Sequence, residues 1–408
     1  MNQPPRTIIH LDMNAFFAAV EQAANPSLRD LPIAVTGARH RTVILTASYA
    51  AKRAGIKTGD LLHEARSRCP SLRLVPADPD KYIHTSQAIM SLLKNFTPLV
   101  EVASIDEAFL DVTHSLHLFP SIETLAQIIK HEIKSHFNLT CSLGVAPNKL
   151  LAKLAAEQQK PDGLVIVTPN DLPHWLAPIP LSSLCGIGPH ITAFFHQRGI
   201  HTCGDLQRLP LPFLQRHFGA LGLWLHNAAF GRDNSPVIPT EDAPNPKSVG
   251  HSMTLERNAE SREDVLRYLL QLSEMVGRRL RAHHLTASTV AVTIRFASFH
   301  TITTRQTFHT DLSQSNHIYH CASTIWKRMP MLEPVRLVGL SVSSLTPNAQ
   351  QLPLFPSEQR RMRLALAQDL VNDRFGDYAL FPATLLLRNN RTRIIAPAWR
   401  PEGLRNTC

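Results

Sequence analysis

Ala103 to Val112 reads ASIDEAFLDV and sets two acids, Asp106 and Glu107, side by side inside an apolar run. Burying a carboxylate is costly unless something cationic compensates it. Neighbouring side chains on a regular strand point to opposite faces, so both acids reach one point only where the chain turns. The flanking runs, LVEVA and AFLDV, have the length to pair as a hairpin. The spacing predicts a tight turn over Ser104 to Glu107, with both carboxylates at a sheet edge.

Working outward, TIIHLD (Thr7 to Asp12) is a short β-rich run with Ile8, His10 and Asp12 on one face. A helix-like stretch follows from Ala15 to Ala23. A looser region, Pro26 to Pro76, holds two strand-like runs (IAVTG, TVILTAS) and a helical stretch ending near Cys69. Tyr82 to Asn95 and Leu125 to Phe137 have helical spacing, and Thr140 to Val145 is strand-like. Apart from the inserted region, the order is strand, helix, strand, strand, helix, strand, the ferredoxin-like order. In that order the first strand lies next to the hairpin and brings Asp12 close to the acid pair.

Three converging carboxylates repel one another and raise one another's pKa. A divalent cation removes that penalty. Hard oxygen ligands with open positions suit Mg²⁺, which binds through a few carboxylates plus substrate phosphates. Two such ions activate a hydroxyl and stabilise the leaving oxygen of phosphoryl transfer. Taken alone, Asp106 and Glu107 also fit two solvated turn residues; Asp12 and the basic residues below weigh against that.

Asp171 to Arg232 reads as short helices, and NSPVIPTEDAPNP (Asn234 to Pro246) as an extended linker. A second βαββαβ order follows: Lys247 to Glu256, Arg262 to His283, Thr289 to Phe296, Ile302 to His309, Ser315 to Lys327 and Val335 to Ser343. Thr289 to Phe296 alternates, with Val290, Val292, Ile294 and Phe296 on one side. The tail holds QLPLFPSE (351 to 358) and an amphipathic stretch from Arg361 to Val371.

The 408 residues exceed one ordinary core, so several domains are expected. With 44% hydrophobic and 18% charged residues, the composition is that of a globular protein, and no apolar run is long enough to span a bilayer. The start lacks the pattern of a signal peptide, so the expected compartment is the cytoplasm. Six scattered cysteines without a CxxC pair argue against zinc or a disulfide framework. A net charge of +10 favours a polyanionic partner such as nucleic acid.

HLDMNAFFAAVEQ (10 to 22), TASYAAKRAGIKTG (46 to 59), ASIDEAFLDV, SLGVAPNKLLAKLAAEQQKPDG (142 to 163) and LCGIGPHITAFFHQRGIHTCGDL (184 to 206) together resemble the Y-family DNA polymerases, of the bacterial DinB or DNA polymerase IV type. The motifs occur in the family's order and cover most of residues 6 to 345. The resemblance implies an α+β, multidomain, right-hand polymerase. Its ferredoxin-like palm is expected at 1–20 and 77–168, small fingers at 21–76 and a helix-hairpin-helix thumb at 169–233. A linker (234–246), a βαββαβ little finger (247–346) and a tail (347–408) follow.

By matching position, Asp12, Asp106 and Glu107 resemble the catalytic metal ligands, with the Met13 backbone carbonyl as a further ligand and two Mg²⁺ per site. Phe17 matches the steric gate against a ribonucleotide's 2′-hydroxyl. Thr46, Tyr49, Lys52 and Lys160 match the nucleotide contacts. Gly186 and Gly188 resemble a helix-hairpin-helix turn that approaches a DNA phosphate, and Arg295 and Arg305 lie on successive strands that track the backbone. Gln351, Leu352, Leu354 and Phe355 of QLPLF resemble a sliding-clamp-binding peptide.

The implied partners are primer-template DNA, a dNTP and a sliding clamp, with no membrane, for a protein acting as a monomer. The implied activity is error-prone translesion synthesis. Ala50 and Lys52 stand where the family usually has Glu and Arg, Leu45 where a smaller residue is usual, and Asp60 where an apolar one is common. The alternatives are a catalytically inactive repair scaffold of the same fold and a nucleotidyl-cyclase-like palm protein.

Overall fold

The computed structural model describes residues 5–37, 43–242, 246–347, 354–376 and 378–386. These form two compact units that divide after residue 243.

The first unit opens with β1 (Ile8–Met13) and α1 (Phe16–Ala24). Between them Ala15 takes φ 49°, a left-handed conformation unusual outside glycine, which turns the chain sharply off the end of the strand. A small sheet follows, built from β2 (Ile33–Thr36), β3 (Ile44–Ala47), α2 (Tyr49–Arg53), α3 (Leu62–Arg68) and β4 (Arg73–Pro76). Its strand order is β3-β2-β4, with β4 parallel to β2. The sequence predicts two strands here, and the structure has three. RLVP carries no strand signal because it is short, ends in proline and buries no residue fully.

The chain returns through α4 (Pro79–Leu93), β5 (Val100–Val102), β6 (Glu107–Asp111), α5 (Ile122–Phe137), β7 (Cys141–Ala146), α6 (Lys149–Gln158) and β8 (Leu164–Ile166). Side-chain caps start the helices: Asp78 accepts from Lys81 N, Ser121 from Thr124 N, and Asn148 from Leu151 N. The sheet runs β5-β6-β1-β7-β8. Its first four strands have the ferredoxin-like arrangement expected, with β1 central and antiparallel to both β6 and β7. The fifth strand, β8, pairs parallel to β7 and is an addition to the expected four.

Gly144 lets α6 lie against this sheet, since a Cβ there would come within 2.1 Å of the Ala152 carbonyl oxygen. The five short helices α7 (Leu172–Leu176), α8 (Pro189–His196), α9 (Cys203–Gln207), α10 (Leu211–Phe218) and α11 (Ala220–Ala229) follow. Leu151 and Leu154 of α6 share an apolar core with Phe195, Leu214 and Leu225 of these helices.

The second unit contains β9 (Ser248–Ala259), α12 (Arg262–Ala282), β10 (Leu285–Phe296), β11 (Thr301–Leu312), α13 (Ser315–Arg328), β12 (Val335–Ser343), β13 (Thr346–Pro347) and α14 (Pro356–Phe375). The βαββαβ order is present as expected. The lateral order is β11-β10-β12-β9, so the first strand lies at an edge rather than in the centre. Val290, Val292, Ile294 and Phe296 are buried with Trp326, as their alternation predicts. The opposite face carries Thr289, Thr293 and Arg295, and the register puts Thr301, Thr303, Arg305 and Thr307 beside them.

The tail helix α14 docks on α12 through ions rather than through an apolar stripe. Arg281 forks onto Asp369 (2.6 and 2.8 Å), and Arg278 pairs with Asp373 at 2.6 Å. Leu364, Leu366 and Leu370 remain exposed, which corrects the amphipathic reading of this stretch. Among the described residues no helix is long and apolar enough to cross a membrane.

Candidate active site

The β5–β6 connection turns as the sequence predicts. Ala103 N and Ser104 N both donate to the Glu107 carbonyl (2.9 and 3.2 Å), and Met13 N donates to the Asp106 carbonyl (2.9 Å). The tip is anchored inward: Ile105 is buried, and Ser86 Oγ of α4 donates to its carbonyl. Asp12 and Glu107 are register partners across β1 and β6, so their side chains rise from the same face. Asp106 lies one residue before the strand, where its carboxylate accepts from Ser104 Oγ at 2.6 Å. The structure thus brings Asp12, Met13, Asp106 and Glu107 to one corner of the sheet.

Two ammonium groups sit on these acids. Lys160 Nζ is 2.6 Å from Asp12 Oδ2 and 2.6 Å from Glu157 Oε1. Lys153 Nζ is 2.5 Å from Glu107 Oε2, and His10 Nε2 lies 3.6 Å from the same oxygen. That is too long for a full hydrogen bond. Both His10 ring nitrogens are buried without a hydrogen bond, and the ring packs on Phe109 at 4.6 Å.

Lys153, Glu157 and His10 were absent from the candidate residues read from the sequence. The signal was there for Lys153. Lys149 and Lys153 are spaced four apart on α6, and they reach Glu101 (2.7 Å) and Glu107, the acids of paired strands.

The electrostatics follow from burial. Desolvation lifts the Asp12 carboxyl to about 7 against the pull of Lys160. It also raises Asp106, opposed by the Ser104 hydroxyl. Burial works to raise Glu107, but the His10 imidazole and the Lys153 ammonium outweigh it and hold the carboxyl down at about 2. Burial lowers His10, favouring the neutral ring. At Lys160 and Lys153 burial works downward, and their carboxylate partners more than reverse it.

Among the described residues no three His, Cys, Asp or Glu side chains already stand in a metal-binding arrangement. The donor set nonetheless fits a hard cation: three carboxylates converge, and burial raises two of them.

Tyr49 and Lys52 of α2 are near enough to Lys160 and Asp12 to feel their charges. The Lys52 ammonium lies 4.6 Å from the Tyr49 ring centre. Thr46 is half-buried on β3, opposite Val35. Phe17, on α1, is buried and stacks on Tyr82 at 4.4 Å. Tyr82 Oη in turn donates to Glu21. Asp60 has a local job, pairing with Arg68 at 2.7 Å and accepting from Lys57 N.

Gly186 takes φ +103°, and a Cβ there would meet Trp224 at 2.7 Å. Gly188 caps α8 with open space around its Cα. In the second unit Arg295 and Arg305 share the open face of the sheet, Arg295 Nε donating to Thr301 Oγ1 at 2.9 Å. Leu354 and Phe355 are exposed; Gln351 and Leu352 lie outside the described residues.

Family profiles match three parts of the chain. Residues 11–157 match the impB/mucB/samB family, 182–233 the DNA polymerase-iota thumb domain, and 246–354 the impB/mucB/samB family C-terminal domain. The chain is 40% identical over 385 residues to DNA polymerase IV of Moorella thermoacetica, covering 93% of this chain and 96% of the relative. It is 35% identical over 355 residues to DNA polymerase IV 1 of Bacillus subtilis, covering 86% and 85%. Among solved structures, the Y-family DNA polymerase chimera Dbh-Dpo4(243-245)-Dbh aligns with a TM-score of 0.76 at 27% identity, over 84% of this chain and all of the other. The Dbh ternary complex aligns with a TM-score of 0.60 at 27% identity, over 83% and 98%. With the acid corner, the ferredoxin-like sheet and these matches together, the chain belongs to the impB/mucB/samB family, the Y-family DNA polymerases.

Proposed function

We propose that this chain performs template-directed, error-prone DNA synthesis past damaged template, using Asp12, Asp106 and Glu107 to hold its metal ions. The observation that carries this is the cross-strand pairing of Asp12 with Glu107 beside the turn that presents Asp106. Membership of the family brings a dependence on divalent metal. Two Mg²⁺ held by these acids and the Met13 carbonyl would supply activation of the primer 3′-hydroxyl and neutralise phosphate charge.

The remaining roles belong to the chain. Tyr49, Lys52 and Lys160 bind the triphosphate of the dNTP, with Thr46 beside them; the charges of the two lysines suit the β- and γ-phosphates. Phe17 closes the space that a 2′-hydroxyl would need. Lys153 fixes one oxygen of Glu107, which orients the other. The Gly186–Gly188 turn and the Thr and Arg face of the second unit meet the DNA backbone without reading its sequence.

The palm, fingers, thumb, linker, little finger and tail follow the bounds given above. The protein acts as a monomer in the cytoplasm, in keeping with free Cys69, Cys141, Cys185, Cys203 and Cys321. QLPLF engages a sliding clamp. A non-catalytic scaffold would not need three converging acids.

Primer extension on natural and damaged templates tests this. The wild type should extend the primer. Asp106→Ala with Glu107→Ala should lose at least about a thousandfold in rate, the scale of removing groups that stabilise a transition state. Undiminished extension by that variant would move the chemistry elsewhere.

A further inference from the structure

The corner that holds the acids has its own cations. Lys160 Nζ bridges Asp12 Oδ2 and Glu157 Oε1, both at 2.6 Å, from a side chain that is 24% exposed. An oxygen engaged by an ammonium cannot at the same time ligate a metal through the same lone pair. Lys160 also lies within the electrostatic reach of Tyr49 and Lys52, where a second positive charge is costly unless an anion joins them. The lysine therefore has two carboxylates already in hand and a neighbourhood prepared for a further anion. Glu157, one turn back on α6, keeps the ammonium beside Asp12.

We propose that Lys160 is a displaceable counter-ion. It neutralises Asp12 until a divalent cation takes that oxygen, and its ammonium then transfers to the triphosphate of the incoming nucleotide. One positive charge thus serves Asp12 and the triphosphate in turn. Binding of metal and of nucleotide are coupled through it, because each releases or captures the same ammonium. Among the described residues Lys153 pairs with Glu107 alone, and it stays there. This inference rests on the reading of Asp12, Asp106 and Glu107 as metal ligands.

Two measurements on the full chain without DNA test it. Free Mn²⁺ is followed by its paramagnetic resonance as protein is titrated in. Compared at pH about 8.5, above the Asp12 value, Lys160→Gln should bind Mn²⁺ roughly fivefold tighter than the wild type, since the competing ammonium is gone. Lys160→Arg, which keeps the charge, should bind like the wild type. Equal or weaker Mn²⁺ binding by Lys160→Gln overturns the exchange. Asp106→Asn binding Mn²⁺ as well as the wild type overturns instead the metal-site reading beneath it.

The second measurement needs no variant. Lysine acetylation is quantified by mass spectrometry of peptides, with Lys81, paired with Glu21 at 2.7 Å, as an internal reference. Labelling of Lys160 relative to Lys81 should rise when Mg²⁺ is added and fall again when a dNTP follows. A ratio unmoved by Mg²⁺ overturns the displacement.

Discussion

Phe17 has a duty in the fold, and the proposed function gives it a second that pulls in another direction. Its ring stacks on Tyr82 at 4.4 Å and is buried, so removing it opens a cavity worth about 3 kcal/mol or more. As a gate it must also stand against the sugar of the nucleotide. Loss of total activity in Phe17→Ala would therefore say little. The informative quantity is the ratio of kcat/KM for a dNTP to that for the matching ribonucleotide, which should fall by about tenfold or more. A ratio unchanged from the wild type would place the gate elsewhere.

Asp12 offers a second prediction at this scale. Burial lifts its carboxyl to about 7, and only the ionised form ligates metal. Below that value the proton must leave as the metal enters, so Mg²⁺ affinity should drop as pH falls from about 8 to about 6. Glu107, held at about 2, adds nothing to that slope. A Mg²⁺ dissociation constant that stays flat across this window would count against Asp12 as a ligand.

At the scale of elements, α6 is the piece on which the corner depends. It carries Lys153, delivers the chain to Lys160, and starts at Asn148, whose amide also donates to the Gly231 carbonyl at 2.8 Å. Its closeness to β7 requires the missing side chain at Gly144. Gly144→Ala should cost about 2–3 kcal/mol by overpacking, read as a lower denaturant midpoint with an unchanged slope. A variant as stable as the wild type would show that the helix can shift without cost.

Much of this level was legible in the sequence. The hairpin could be read because adjacent acids in an apolar run demand a turn, and Asp12 because the strand order puts β1 beside that turn. The short β4 and β8 were not legible, having too few residues for a period to declare itself. Nor was the strand order of the second unit, since one linear βαββαβ order serves two lateral arrangements. Lys153 was passed over because a lysine on a helix usually faces water, and only the fold shows which strand the helix covers.

The whole molecule has the charge of a protein that follows a polyanion, +10 over 408 residues. Sequence-independent phosphate contacts should make its DNA affinity fall steeply with salt. The proposed clamp contact of QLPLF belongs to this scale as well. Deleting residues 351–355 should shorten the products made per binding event only when a sliding clamp is present, by about tenfold or more if the tether raises local concentration. An equal loss without clamp would assign the segment to folding.

The ionic docking of α14 makes its hold on α12 respond to salt. The Arg278–Asp373 pair lies open to water and is screened as ions are added, whereas the Arg281–Asp369 fork is largely covered and keeps its grip. The apolar core around Trp326 does not depend on either pair. Rising ionic strength therefore loosens α14 from the Asp373 side while the sheet beneath stays folded.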